Sequence, residues 1–164
     1  MNVQAIVVAV AILLTGIMAG IFFTWSNAVM PGIGKLGDLE FLQALKSMNR
    51  VILNKAFMAV FGGAVVAVFL VPMGHLNVFP KALFWFYVFT FVLYAVGVFG
   101  VTIQGNIPLN ELLEGANLDA LSMEELKSLR TTIESDWNRY NLIRTVCASL
   151  TLICLIVSCF FWDK

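Results

Sequence analysis

Charge is what this chain has least of. Ten Lys/Arg and ten Asp/Glu occur in 164 residues, about half the share of an ordinary soluble domain. The net charge is zero and no polybasic run is present, so no nucleic acid is expected as a partner. Histidine occurs once, at His75. No His and carboxylate set has metal-ligand spacing, and there is no HExxH, phosphate loop or nucleophile elbow. Cys147, Cys154 and Cys159 are the only cysteines. Their spacing fits neither a zinc site nor a redox pair, and each reads as a small apolar residue.

What is abundant is apolar: 60% of the chain. All formal charges fall outside four stretches, 1–34, 56–80, 82–110 and 145–162. Each stretch holds the ~20 apolar residues that cross a ~30 Å hydrocarbon core as a helix. The pattern predicts an all-α, four-transmembrane-helix bundle in the lipid bilayer, one membrane domain over 1–164. Its spans are expected at about 5–25, 56–73, 83–103 and 140–162. The first run lacks a basic n-region and an A-x-A site and is long for a signal peptide, so it reads as a retained span.

Local signals set the expected boundaries. Pro31, Gly32, Gly34 and Gly37 should break the first helix, and Pro108 should end the third. Between the first two spans, 38–55 is amphipathic, with Leu39, Leu42, Leu45, Met48, Val51 and Ile52 at helical spacing. Ser122 and Glu125 form a capping box flanked by Leu121 and Leu126 as a staple. A helix should therefore start at Met123 and run into the fourth span. Gly16, Gly20 and Thr24, four residues apart, allow a close helix approach, either within the chain or in a homo-oligomer.

The positive charges are unevenly shared between the two sides. Lys35, Lys46, Arg50 and Lys55 lie in one long loop region, and Lys127, Arg130 and Arg139 in the other. Four spans put both regions on the same side, against only Lys81 and Lys164 opposite. The bias makes both long loops cytoplasmic and both termini external. His75 falls in the short opposite turn, where a solvated loop is expected.

Polar residues gather at the cytoplasmic ends of the spans. Trp137, Asn138, Asn141, Arg144 and Thr145 share a helical face about 120° wide. Thr102, Asn106 and Asn110 follow the third span, Thr24, Trp25 and Asn27 end the first, and Asn49, Arg50 and Asn54 precede the second. Together they define an expected pocket of amide donors, one fixed cation and aromatic walls from Trp25, Trp137 and Tyr140. Arg144, Asn141, Asn106 and Asn110 are the candidate catalytic donors. Trp25, Asn49, Trp137 and Asn138 are the candidate ligand-binding residues. A planar oxyanion suits such a site, because Arg binds oxyanions through a planar fork. Structural roles compete: Arg144 can snorkel to headgroups, asparagines can bridge helices, and tryptophans, Trp85 and Trp162 included, can form interfacial belts. Glu111, Glu114, Glu134 and Asp136 are the nearest acids that could accept a proton.

At these residues the sequence resembles the anthrone-oxygenase-like integral membrane family. The resemblance rests on Gly20-Ile21-Phe22-Phe23 through Val29-Met30-Pro31, on Met48-Asn49-Arg50 with Asn54 and Phe57-Met58, on Gly105-Asn106-Ile107-Pro108-Leu109-Asn110, and on Trp137-Asn138 with Asn141 and Arg144. It implies a four-helix membrane bundle. Characterised fungal members oxidise anthrones to anthraquinones with dioxygen and without metal or flavin, so the resemblance implies no cofactor and a planar phenolic or quinol-type substrate. The alternative is a non-enzymatic membrane protein that binds a lipid, a quinone or an aromatic metabolite. A purely structural scaffold also fits the composition. A proton-coupled transporter does not, because such exporters usually need an acid inside a span and none is present.

Overall fold

A computed structural model describes residues 3–77 and 81–161. Trp162, Lys164 and Pro80 lie outside the described residues. The described chain is helical, and four of its helices are long and apolar enough to cross a bilayer. They are α1 (Val3–Ile33), α3 (Lys55–Gly74), α4 (Lys81–Gly115) and α5 (Met123–Phe161). A shorter amphipathic helix, α2 (Asp38–Ile52), separates the first two. This is a multi-pass membrane protein.

The bundle core is built from small and branched side chains. α1 packs on both α3 and α5, and α4 closes against α3 and α5. Ala11, Thr15 and Ala19 supply the buried small row of α1, facing Ala64 and Ala67 of α3 and Ala148 of α5 in the same core. The Gly16–Gly20 row lies one residue to the side. Gly16 meets Leu152, whereas a methyl group on Gly20 would meet nothing. Outward positions such as Leu13, Phe23, Phe69, Phe89 and Ile153 are exposed and apolar, as a lipid-facing surface requires.

One helix ends within its expected break at 31–37, and the other continues past the proline that was expected to stop it. α1 passes Pro31 and ends at Ile33, and α4 passes Pro108 and runs to Gly115. In each, a π-helical turn ends two residues before the proline: Trp25–Val29 in α1 and Thr102–Asn106 in α4. Proline lacks an N–H and its ring clashes with the carbonyl four residues back. Those carbonyls, of Asn27 and Gln104, lie inside the widened turns, where i→i+5 bonding moves them off the usual ladder. A further π-helical stretch, Ala95–Gly100, precedes them in α4.

α2 is a docked element rather than a free interfacial helix. Phe41, Leu42 and Leu45 are fully buried against Leu113, Leu118, Leu126 and Ile133. Phe41 was absent from the stripe expected from the sequence, and Val51, which was in it, is exposed. Arg130 holds the preceding linker. It donates to the carbonyls of Gly34 (2.7 Å) and Leu36 (2.9 Å) and pairs with Asp38 and Glu134. Asn54 caps α3 by accepting from the Phe57 N–H at 3.0 Å. The capping box forms at Ser122 and Glu125, so α5 begins at Met123 as expected.

His75 differs from its expected solvated setting. It is buried, with its ring 4.6 Å from that of Tyr87 and its Nδ1 2.8 Å from the Val71 carbonyl oxygen. The aromatic ring of Tyr87 in α4 packs on the His75 ring, while the neighbouring turn residues Leu76 and Asn77 are exposed.

Candidate functional site

α1, α3, α4 and α5 enclose a cavity of about 140 Å³ at the end of the bundle that α2 covers. Trp25 reaches it from α1, Asn49 from α2, Phe57 and Phe61 from α3, Thr102, Asn106 and Asn110 from α4, and Trp137, Asn141 and Arg144 from α5. Trp25, Thr102 and Asn106 belong to the π-helical turns. An extra residue per turn rotates the following side chains relative to a regular helix, and such turns often occur at functional sites.

Arg144 is the centre of the polar wall. Only 7% of the residue is exposed, so it does not snorkel to the surface. Its Nη2 donates to Asn141 Oδ1 at 2.7 Å, and its Nη1 lies 3.4 Å from Thr102 Oγ1. The guanidinium sits over the rings of Phe22 and Trp137, with centroid distances of 4.5 and 5.5 Å. Its Nε is buried without a hydrogen-bond partner among the described residues. The ion pairs found among those residues join Arg50 to Glu114 and Arg130 to Asp38 and Glu134; none includes Arg144.

The asparagines have distinct surroundings. Asn141 donates to the Phe22 carbonyl (3.0 Å) and to Ser26 Oγ (2.8 Å) while accepting from Arg144. Asn110 Oδ1 accepts from Asn49 Nδ2 (3.0 Å) and from Trp137 Nε1 (3.1 Å), which ties α2, α4 and α5 together. Asn106 is 1% exposed. Both its amide oxygen and its amide nitrogen are buried without a partner among the described residues. Such groups are rare in folded proteins and call for an explanation.

Aromatic rings form the remaining walls. Trp25 and Trp137 lie 5.1 Å apart at 46°, and Phe57, Phe61 and Phe99 stack in a row at 5.7 Å spacing. Tyr140, expected in the wall, instead packs behind the cavity against Gly105. A methyl group there would fall 2.6 Å from the Tyr140 ring.

Seven of the eight expected site residues thus line one cavity: Trp25, Asn49, Asn106, Asn110, Trp137, Asn141 and Arg144. Asn138 does not join them. It is exposed and borders a separate groove with Ser26, Met30, Lys35 and Glu134. Thr24 and Asn27 also point away; the Thr24 hydroxyl bonds back to the Gly20 carbonyl. Phe22 and Ser26 escaped the sequence reading. The first acts through its ring and its backbone carbonyl, the second through a hydroxyl that also meets Thr145 at 3.2 Å. None of the candidate acids lines the cavity. Glu114 is engaged by Arg50, whose guanidinium it holds above its ordinary pKa chiefly through their hydrogen bonds. Glu134 is engaged by Arg130, and Glu111 and Asp136 are exposed.

The fold and the cavity define an integral membrane four-helix bundle with an unpaired cation buried among aromatic rings. The chain belongs to the anthrone oxygenase family, whose model matches residues 48–154. That stretch contains every cavity-lining residue expected from the sequence except Trp25. No curated protein and no solved structure matches the chain.

Proposed function

We propose that the protein is an oxygenase that oxidises a planar phenolic or quinol-type substrate with dioxygen, with Arg144 holding the substrate as its oxyanion. The observation that carries this reading is the buried, unpaired guanidinium beside the unpartnered amide of Asn106. Burying an ion costs several kcal/mol even after relaxation. Two arene contacts return only ~0.5–2 kcal/mol each, and no neutral wall cancels the charge. A phenolate or enolate oxygen at Arg144 supplies the countercharge. The Asn106 amide then donates to a second substrate oxygen or accepts from a neighbouring hydroxyl.

The chemistry follows from that anion. An anthrone-type substrate loses one proton from its ring methylene to water at the headgroup boundary as it enters, and the resulting carbanion is delocalised onto the oxygen held by Arg144. The carbanion adds dioxygen, with transfer of its electrons to the O–O unit, to give a peroxide anion. The peroxide regains a proton, and loss of water with the second methylene hydrogen leaves a carbonyl group. One dioxygen is consumed, one oxygen atom enters the product and the other leaves as water. The cavity contributes the stabilised anion, a dry aromatic slot and donors fixed in advance, as electrostatic catalysis requires. Because no carboxylate lines the cavity, the substrate's own acidity, enhanced by Arg144, takes the place of a protein base.

That same lack of a carboxylate favours a second reading, a membrane protein that holds a quinone or aromatic metabolite without turning it over. We infer from the charge bias that the cavity end faces the cytoplasm. The test between the readings is quinone formation from emodin anthrone under oxygen, followed by absorbance with detergent-purified protein. The oxygenase reading expects a rate above autoxidation that is lost in Arg144→Ala and reduced in Asn106→Ala. A rate equal to autoxidation, with emodin still bound, selects the binding reading.

A further inference from the structure

The residues that line the cavity differ sharply in exposure, and the difference has a direction. Leu53, Met58 and Ile107 are the only exposed ones, at 64%, 52% and 40%, and all three are apolar. They come from the α2–α3 junction, the first turns of α3 and the far half of α4. α3 packs mainly on the Lys81–Tyr94 half of α4, while the part of α4 beyond Tyr94 packs mainly on α5. Past the Phe61–Phe99 stack, 5.7 Å between centroids, the two helices diverge and leave a cleft whose rim is these three side chains.

The aqueous end is closed by contrast. α2 lies over it, held to α4 by Asn49–Asn110 at 3.0 Å, by both Nε and Nη2 of Arg50 on Glu114, and by Lys46 donating to the Ala116 carbonyl at 2.9 Å. Arg50, Glu111 and Glu114 border a shallow groove that shares Leu53 and Ile107 with the cleft. One edge of the cleft is thus charged and the other, at Met58, is apolar. This is the polarity step of a headgroup–acyl boundary.

We propose that the cavity takes its ligand from the bilayer, through a lateral portal between α3 and α4 framed by Leu53, Met58 and Ile107. The ligand class is a membrane-dissolved aromatic whose polar oxygen travels at headgroup depth and enters first toward Arg144. The proposal rests on the cavity being the ligand site, and it extends that reading to the source of the ligand. Entry from lipid keeps the slot dry, because water must cross an apolar rim to reach the guanidinium.

Thiol labelling in lipid nanodiscs tests the route without any turnover. In protein with Cys147, Cys154 and Cys159 replaced by Ala, Thr102→Cys places a reporter inside the cavity, and Asn106→Cys is the second reporter should the first fold poorly by gel filtration. The probes are N-phenylmaleimide, which dissolves in the bilayer, and its ring-sulfonated analogue, which stays in water. The portal predicts that N-phenylmaleimide reacts roughly tenfold faster or more, the ratio given by ~1.4 kcal/mol of preference. Adding Met58→Trp should then slow it by a similar factor. Equal or faster labelling by the sulfonated probe, no labelling by either, or no effect of Met58→Trp would each overturn the portal. Failure of emodin anthrone oxidation with the labelling pattern intact would count against the oxygenase reading alone.

Discussion

The side-chain oxygen of Asn141 lies 2.7 Å from Nη2 of Arg144, and its nitrogen donates to α1 at the Phe22 carbonyl and Ser26. One amide therefore fixes the cation and anchors it to a neighbouring helix. An amide orients the guanidinium without neutralising it, whereas a carboxylate at the same place would do both. On the proposed reading, Asn at this position keeps the charge available to a ligand.

Asn141→Asp tests that distinction. The carboxylate would pair with Arg144 and compete with a ligand oxyanion, so emodin affinity should fall about tenfold or more, or ~1.4 kcal/mol. The variant loses the bonds that Asn141 donates to the Phe22 carbonyl and Ser26, so its thermal midpoint should fall, with the new ion pair to Arg144 offsetting part of the loss. Fluorescence titration in detergent, with circular dichroism as the control for folding, gives both quantities. Affinity equal to wild type would show that the charge of Arg144 is not what holds the ligand.

Asn106 and Asn110 should separate binding from stability. The Asn106 side chain has no hydrogen-bond partner among the described residues, so Asn106→Ala should leave the thermal midpoint nearly unchanged while weakening ligand binding. Asn110→Ala strands the indole donor of buried Trp137 and the amide donor of half-buried Asn49, and a buried group left unpaired costs ~1–3 kcal/mol. Its midpoint should drop by several degrees. Thermal melts of the two variants, with and without emodin, check the contrast.

Gly105 allows α5 to approach α4. A methyl group there would lie 2.6 Å from the Tyr140 ring, and overpacking of this kind costs ~1–3 kcal/mol. Gly105→Ala should destabilise the bundle, whereas Gly20→Ala, which meets nothing, should not. A loss of stability in Gly20→Ala instead would mean that this glycine packs against a second copy of the chain.

The spans and the α5 cap were legible because they rest on local chemistry. Charge is excluded from hydrocarbon whatever the tertiary fold, and the Ser122–Glu125 box needs only four consecutive residues. The break at 31–37 was legible from its glycines, with α1 ending at Ile33, but the end expected at Pro108 was misjudged because a π-helical turn absorbs a proline two residues on, and nothing in the residue types announces that turn. Asn138 was misplaced for a geometric reason. The polar face of α5 is wide enough to touch two neighbours, so Trp137, Asn141 and Arg144 face the cavity while Thr145 meets Ser26 of α1 and Asn138 opens onto another groove. Backbone carbonyls also carry no sequence signal, which hid the part played by Phe22.

If Arg144 binds the ligand as an oxyanion, as proposed, the ionisation of a bound phenol reads it directly. A cation at contact distance favours the charged form and lowers a neighbouring acid's pKa by about 1–3 units. Absorbance of emodin titrated against pH, bound and free, measures the shift through the red-shifted phenolate band. Bound emodin should ionise at lower pH than free emodin, and Arg144→Ala should abolish the difference. Ionisation of the bound ligand at the same or a higher pH would contradict it.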